Sequence, residues 1–217
     1  MLNKSIIIGL FLLFSGGIIA QNRFEKEILA YEVKDKINMP PPGMRLFIGS
    51  SSFRIWKEMY EDLIGYDVIN RGFGGSQLSD VLYYYDRMVK NYQPSWIFLY
   101  EGDNDTAAGK TAKEVHEDFM KLVQLVKRDM PKTKIVFVGI KPSISRFNLV
   151  DIQREVHRLI QMEVKKDKNI YFIDTHSPFF DKESALIQDV FLKDGLHLNR
   201  KGYEIFGGTI LDFLKKH

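Results

Sequence analysis

Five short apolar runs, separated by segments with helical spacing, constrain the fold of this chain more than any other feature. The runs are rich in β-branched and aromatic residues and have the length of buried strands. They occupy residues 44–49 ("MRLFIG"), 66–70 ("YDVIN"), 95–100 ("SWIFLY"), 134–140 ("KIVFVGI") and 169–174 ("NIYFID"). Such runs predict strands that are covered by other elements on both faces.

The segments between the strands predict helices. Residues 52–63, 111–129 and 149–164 place apolar side chains on one helical face, and a last helix is predicted for residues 201–214. An added N-terminal helix is predicted for residues 22–38, because the prolines that follow cannot continue a helix. Strands that alternate with helices indicate an α/β fold, a parallel sheet with right-handed crossovers and helices on both faces.

Composition excludes several classes of function. The 217 residues, 45% of them hydrophobic, suit one catalytic-sized globular domain. The net charge is only +3 without a long basic block, which argues against a nucleic acid as the main partner. Because the chain has no cysteine, disulfides, thiolate catalysis and zinc–cysteine sites are excluded.

The N-terminus has the pattern of a secretory signal. Lys4 precedes the apolar residues 5–20, and the small Ala20 stands just before Gln21. We therefore expect an exported chain, periplasmic or extracellular, that begins near Gln21 and keeps no stable membrane span. An uncleaved anchor is disfavoured, because a serine and two glycines at 15–17 interrupt a run that is already short for a span.

Two glycine-rich loops fail as nucleotide sites. A dinucleotide fingerprint that begins at Gly72 needs glycine at position 77, where the chain has Gln77. Residues 109–111 (Gly-Lys-Thr) end like a phosphate-binding loop, but the first glycine of that motif is replaced by Asn104. No nucleotide cofactor is therefore expected.

The loops that follow the strands contain the parts of a serine hydrolase. In a parallel α/β sheet, ligands bind beyond the carboxyl ends of the strands. Ser51 follows the first strand as a potential nucleophile, and His197 is a potential base with Asp194 three residues before it. Gly75 can offer a backbone N–H and Asn104 a side-chain amide to a developing oxyanion.

The order of these residues resembles the four sequence blocks of the SGNH hydrolases, the GDSL-type esterases and lipases. "GSSS" at 49–52, residues 70–75, "GDND" at 102–105 and "DGLH" at 194–197 correspond to those blocks. The resemblance covers the domain at 44–217, after a signal at 1–20 and a helical extension with a Pro-rich turn at 21–43. It implies a flavodoxin-like three-layer α/β/α fold with five parallel strands.

The resemblance also implies the chemistry. Ser51 would be the nucleophile, His197 the base and Asp194 the orienting carboxylate, and the oxyanion hole would combine the Ser51 and Gly75 N–H groups with the Asn104 amide. The expected activity is hydrolysis of short-chain or acetyl esters of small molecules, carbohydrates or lipids through an acyl-enzyme, with neither metal nor cofactor. The first block departs from the family pattern, because Ser50 stands where the family often has aspartate.

Other interpretations of these residues remain. Serines before a helix are commonly caps, and Ser52 is the expected cap here. His176, close to Asp174, is the rival base, whereas His116 and His157 are expected on helix surfaces. Asp103 and Asp105 are expected to stabilise a turn rather than to bind metal. The alternative function is a catalytically silent extracellular protein that binds carbohydrate or acts as a scaffold.

Overall fold

A parallel five-stranded sheet forms the centre of the molecule in the computed structural model, which describes residues 22–217. The strands are β1 (Arg45–Gly49), β2 (Val68–Gly72), β3 (Trp96–Tyr100), β4 (Lys134–Val138) and β5 (Ile170–Ile173), in the spatial order β2-β1-β3-β4-β5. This is the flavodoxin-like order. The five predicted strands and the predicted sheet are confirmed; the predicted signal at 1–20 lies outside the described residues.

Helices cover both faces of the sheet and bury two apolar clusters. On one face lie α1 (Glu25–Ile37), α4 (Leu78–Tyr83), α5 (Tyr85–Met88), α7 (Ala112–Asp129) and α8 (Val150–Val164). On the other lie α2 (Ser51–Arg54), α3 (Met59–Asp62) and α9 (Arg200–Leu214). The short α6 (Asp103–Ala107) follows β3. The result is the expected three-layer α/β/α architecture.

The helix predicted for residues 52–63 is wrong as one element. The chain forms α2 and α3 with a turn between them, and this turn buries Trp56 against Tyr203 with ring centroids 5.5 Å apart. The indole Nε1 donates a hydrogen bond to Asp62 Oδ2 at 2.8 Å. The apolar spacing identified the buried side chains correctly, but a buried indole and its hydrogen bond determined the backbone path.

The register of the strands brings three loops together. Gly49 at the end of β1 pairs with Gly72 of β2 on one side and with Tyr100 of β3 on the other. Gly49 has a φ of +133°, and a Cβ there would lie 2.1 Å from the Tyr100 carbonyl oxygen, so only glycine fits. The loops after β1, β2 and β3 therefore leave the sheet at one level.

The chain after β5 returns to the same edge. Asn199 caps α9 by accepting a hydrogen bond from the Gly202 N–H at 3.1 Å, and Tyr203 Oη donates to the Ser52 carbonyl at 2.9 Å. This contact ties α9, and the loop before it, to the start of α2. Within residues 22–217, no helix combines the length and the apolar character that crossing a bilayer requires.

Candidate active site

Ser51, His197 and Asp194 form a chain of hydrogen bonds at the carboxyl end of β1. The Nε2 atom of His197 lies 3.0 Å from Ser51 Oγ, and its Nδ1 atom lies 2.6 Å from Asp194 Oδ2. A carboxylate only accepts hydrogen bonds, so Nδ1 carries the imidazole hydrogen and Nε2 is free to accept the serine proton. The structure thus brings together three residues that are up to 146 positions apart.

Asp194 is held by its own turn as well as by the imidazole. Its Oδ1 accepts hydrogen bonds from the backbone N–H groups of Leu196 at 2.9 Å and His197 at 3.0 Å. The His197 hydrogen bond, supported by these two N–H groups, lowers the pKa of Asp194 to about 2. The carboxylate therefore stays ionised throughout the neutral range and fixes the tautomer of His197.

Two backbone N–H groups were predicted as oxyanion donors, those of Ser51 and Gly75. The Ser51 N–H is the first of helix α2, a position without an acceptor inside the helix. Gly75 lies in the turn after β2 with a φ of +82°, and no described heavy atom lies within 4 Å of the place a Cβ would take. This open, left-handed glycine leaves space beside its backbone for a substrate oxygen.

The Asn104 amide has a defined orientation. Its Nδ2 donates to the Ser76 carbonyl at 2.9 Å, and its Oδ1 accepts from Arg146 Nη1 at 3.1 Å. A carbonyl can only accept and a guanidinium can only donate, so the amide nitrogen and oxygen are assigned without ambiguity. One Nδ2 hydrogen remains for a third partner.

Three cations that the motifs do not mark support these loops. Lys141 is buried and donates to the Leu196 carbonyl at 2.7 Å, and burial lowers its pKa to about 8. Arg146 binds Asn104, and Arg23 donates to the Gly75 carbonyl at 3.1 Å. Lys141 and Arg146 follow the fourth predicted strand, so the strand-end rule that selected the other loops includes them. Arg23 lies outside that rule, because it belongs to the N-terminal extension.

Glu101 is a buried acid behind the Asn104 loop. Its side chain is fully buried, and its Oε1 lies 2.5 Å from the hydroxyl of Ser76. Burial, followed by the nearby Asp105, raises the pKa of Glu101 well above its usual value. Glu101 thus supports Ser76, whose carbonyl accepts a hydrogen bond from the Asn104 amide.

The other three histidines considered in the sequence bind partners other than Ser51. His176, the rival base, directs Nδ1 to the Ile140 carbonyl at 3.2 Å. The prediction that His157 lies on the surface is wrong. Its ring is buried because it packs against Phe172, with ring centroids 5.3 Å apart. Its Nε2 accepts a hydrogen bond from the Ile140 N–H at 2.7 Å. His116 is partly buried and pairs with Glu163 at 3.1 Å.

The serine cap was also predicted at the wrong residue. Helix α2 begins at Ser51, so its N-cap is Ser50, and the Ser50 side chain makes no capping hydrogen bond. Ser52 lies inside the helix and is buried. The boundary moves because Ser50 is held by its N–H at 3.1 Å from the Tyr100 carbonyl, which turns the chain immediately after β1.

The acidic residues of the "GDND" block have structural partners. Asp105 accepts the Gly102 N–H at 3.0 Å and pairs with Lys110 at 2.8 Å, and Asp103 pairs with Arg146 at 3.0 Å. Thr111 caps α7 by accepting the N–H of Glu114. The residues that imitate a phosphate-binding loop are thus engaged within the protein, and residues 22–217 contain no group of three or more metal-ligating side chains.

A cavity of about 540 Å³ lies at the other end of the sheet. Gly43, Gln93 and Thr133 line it, close to the amino ends of the strands. None of the five predicted site residues lines this cavity. The position of the site is therefore determined by the strand-end loops and not by the size of a cavity.

Comparison with known proteins identifies the family. The model of the GDSL-like lipase/acylhydrolase family matches residues 47–205. The platelet-activating factor acetylhydrolase IB subunit alpha2 of Homo sapiens is 29% identical over 167 residues, which cover 73% of this chain and 70% of the relative. The range matched by the family model, residues 47–205, contains Ser51, Gly75, Asn104, Asp194 and His197.

Solved structures show the same fold at low identity. A GDSL-like lipase from Bacteroides thetaiotaomicron VPI-5482 has a TM-score of 0.69 and 21% identity, over 87% of this chain and 97% of that one. A variant of an acetyl-xylooligosaccharide esterase from Geobacillus Stearmophilus has a TM-score of 0.64 and 16% identity, over 80% and 94%. The resemblance found in the sequence is thus confirmed: the chain belongs to the GDSL-like lipase/acylhydrolase family and is a hydrolase of ester bonds.

Proposed function

We propose that the protein is a serine esterase that works through Ser51, His197 and Asp194 and an acyl-enzyme intermediate. The observation that carries this proposal is the hydrogen-bonded chain from Ser51 Oγ through His197 to Asp194, at 3.0 Å and 2.6 Å. We assign the Ser51 and Gly75 N–H groups and the Asn104 amide as the donors that bind the oxyanion.

In the first half-reaction, Ser51 Oγ attacks the ester carbonyl carbon while its proton moves to His197 Nε2. The carbonyl oxygen becomes an oxyanion that accepts hydrogen bonds from the Ser51 N–H, the Gly75 N–H and the remaining Asn104 Nδ2 hydrogen. As the tetrahedral intermediate collapses, the alcohol leaves with the proton from His197. Ser51 is then acylated.

The second half-reaction repeats these steps with water. His197 removes a proton from the water that attacks the acyl carbon, and the same donors hold the second oxyanion. Collapse releases the carboxylic acid and returns the proton to Ser51 Oγ. Asp194 remains ionised throughout, because its pKa of about 2 lies far below neutral pH.

For the substrate, we propose an ester with an acetyl or other short acyl group. The names of two related proteins, a platelet-activating factor acetylhydrolase and an acetyl-xylooligosaccharide esterase, both refer to acetyl esters. The leaving alcohol, which takes its proton from His197, would lie near the turn of Asp194–His197. Two exposed apolar side chains border that turn, Leu192 at 47% exposure and Ile144 at 44%.

We also propose that the protein acts outside the cytoplasm. This proposal rests on the sequence pattern of residues 4–20 alone. It predicts that the chain isolated from culture medium or periplasm begins near Gln21. An intact residue Met1 on the purified native protein would contradict it.

The test combines a fluorophosphonate probe with turnover of p-nitrophenyl acetate. Ser51→Ala should abolish labelling, and Ser51→Ala and His197→Ala should each remove nearly all turnover while the far-UV CD spectrum stays unchanged. Ser79→Ala and His116→Ala are matched controls away from Ser51 and should keep full activity. Full turnover in Ser51→Ala would refute the proposal.

The catalytically silent alternative is tested by the same probe. A silent carbohydrate-binding or scaffold protein would leave Ser51 unlabelled and would not turn over any ester of a panel. That panel should vary the acyl chain from acetyl to decanoyl and include acetylated sugars. A clear acetyl preference supports the proposed substrate, and equal rates for all chain lengths contradict it.

A further inference from the structure

Arg146 contacts Asn104, one of the proposed oxyanion donors. Its Nη1 donates to Asn104 Oδ1 at 3.1 Å, and the same atom lies 3.0 Å from Asp103 Oδ1. Both side chains are largely buried: 21% of the Arg146 side chain and 8% of the Asp103 side chain are exposed. A guanidinium in this setting loses much of its hydration, so its hydrogen bonds are strong.

The Asn104 side chain is held at both ends. Arg146 binds its amide oxygen, and the carbonyl of Ser76 accepts one hydrogen of its amide nitrogen at 2.9 Å. Ser76 is itself fully buried and bonded to Glu101. With one Nδ2 hydrogen engaged and the oxygen fixed, the direction of the second hydrogen is determined.

A hydrogen bond to the amide oxygen also changes the amide nitrogen. A cationic donor draws electron density toward the oxygen, so the N–H groups of the same amide become more positive and donate more strongly. This strengthening matters most when the acceptor is a full oxyanion, that is, in the transition state and not in the bound ester.

The loop of Arg146 adds a connection to the proposed base. Its neighbour Ser145 donates its N–H to the Gly195 carbonyl at 3.0 Å, between Asp194 and His197 in sequence. Gln153, from α8, supports Asp103 at 3.3 Å. Arg146 is thus anchored to both sides of the site.

We propose that Arg146 is a positioning residue that orients and polarises the Asn104 amide as the oxyanion donor. This inference rests on the proposed function, because it assumes that Asn104 binds the oxyanion. Arg146 does not touch the substrate in this scheme; it acts through Asn104. Its effect must therefore disappear when Asn104 is removed.

A double-mutant cycle on kcat tests this dependence. Removal of one whole oxyanion donor costs about 10²–10³-fold in kcat, and the loss from Arg146→Met, which keeps Asn104, should be smaller, about 10- to 30-fold. KM should change less than about threefold, because the ground-state ester carries little negative charge. In the Asn104→Ala background, Arg146→Met should cost less than about threefold.

Binding of a trifluoromethyl ketone gives a second measurement. Its adduct with Ser51 carries an oxyanion, so its Ki should rise with Arg146→Met by the same factor as kcat/KM falls, and only when Asn104 is present. Arg146→Lys, which keeps a charge near Asp103 but lacks the planar fork, should give an intermediate loss. If Arg146→Met does not fold, the same cycle is run with Arg146→Lys.

The controls separate this inference from the proposed function. Arg158→Met removes an arginine whose partners among residues 22–217 are its helix neighbours Glu155 and Met162, and kcat should not change. Equal losses in both Asn104 backgrounds, a change in KM alone, or an unchanged kcat would overturn the role of Arg146. Full activity in Asn104→Ala would overturn it as well, whereas only full activity in Ser51→Ala refutes the proposed nucleophile.

Discussion

Replacing Asp194 by asparagine tests the geometry of the triad with a minimal change. The carboxylate makes three hydrogen bonds: Oδ1 accepts two backbone N–H groups, and Oδ2 accepts the His197 Nδ1 hydrogen. An asparagine can place only one oxygen. If the asparagine oxygen takes the place of Asp194 Oδ1, both backbone hydrogen bonds persist and the NH₂ group faces His197 Nδ1. If the amide is flipped, the NH₂ group instead faces the two backbone N–H groups, and both of those hydrogen bonds are lost.

The first orientation should therefore prevail, with a defined consequence. A donor opposite Nδ1 favours the tautomer in which Nδ1 lacks its hydrogen and Nε2 carries it. Nε2 can then no longer accept the proton of Ser51. The expected loss in kcat is about 10³–10⁴-fold, which corresponds to about 4–5.5 kcal/mol of transition-state stabilisation.

Asp194→Asn should change the stability of the fold little. The two backbone hydrogen bonds that shape the turn persist, and the side chain of Asp194 is 47% exposed, so the free energy of unfolding should fall by about 1 kcal/mol or less. The assays are kcat on p-nitrophenyl acetate and urea unfolding. Asp189→Asn, on the same loop and paired with Lys201, is the matched control and should keep full activity. A kcat for Asp194→Asn within tenfold of the wild type would refute the reasoning.

Three further predictions concern stability and pH. Gly207→Ala should destabilise the protein by about 1–3 kcal/mol, because the new Cβ would lie 2.5 Å from Trp56 Cζ2. Gly208→Ala should stabilise α9 by about 0.5–1 kcal/mol, because its Cβ would lie more than 4 Å from every described atom beyond its two neighbours and the backbone of its own helix. Urea unfolding of the two variants checks both signs. The pKa of buried Lys141 is lowered to about 8 from its ordinary 10.5. Between these two pH values, Lys141 is protonated in the unfolded chain but largely deprotonated in the folded protein. The wild type should thus gain stability relative to Lys141→Met as pH rises from about 8 to 10.5, and a constant difference across that range would contradict this. Thr111→Ala should lower the free energy of unfolding by about 1 kcal/mol, because the N-cap of α7 loses the side-chain oxygen that accepts the Glu114 N–H. An unchanged urea midpoint would contradict this role of Thr111.

The strand and helix pattern was predictable because each element carries its own period. Continuous apolar runs identified all five strands, and helical spacing identified α7, α8 and α9 to within one residue at every end. The prediction failed at residues 52–63, where burial of Trp56 against α9 breaks the helix. It failed again at His157, because the burial of this ring depends on its contact with Phe172 of β5, and the periodicity of α8 alone does not predict that contact.

The predicted site residues were accessible from the sequence for a different reason. Each lies directly after a strand or in a short block of fixed spacing, and a parallel sheet collects those positions at one edge. The supporting groups have a weaker signal: Lys141 and Arg146 follow a predicted strand but belong to no block of fixed spacing, and Arg23 meets neither condition. Arg146, Lys141 and Arg23 contact the site through single long side chains, and a charged residue in a loop is more often only solvated.

The sequence by itself determined the class of fold, the edge of the sheet where chemistry is expected and the residue types available there, because periodicity and spacing are local properties. Only the tertiary structure decided that His197 Nε2 lies 3.0 Å from Ser51 Oγ and that Arg146 fixes the Asn104 amide. Hydrogen-bond distances between residues up to 146 positions apart depend on strand register, on loop closure and on the packing of α9 against α2. These are properties of the whole folded chain.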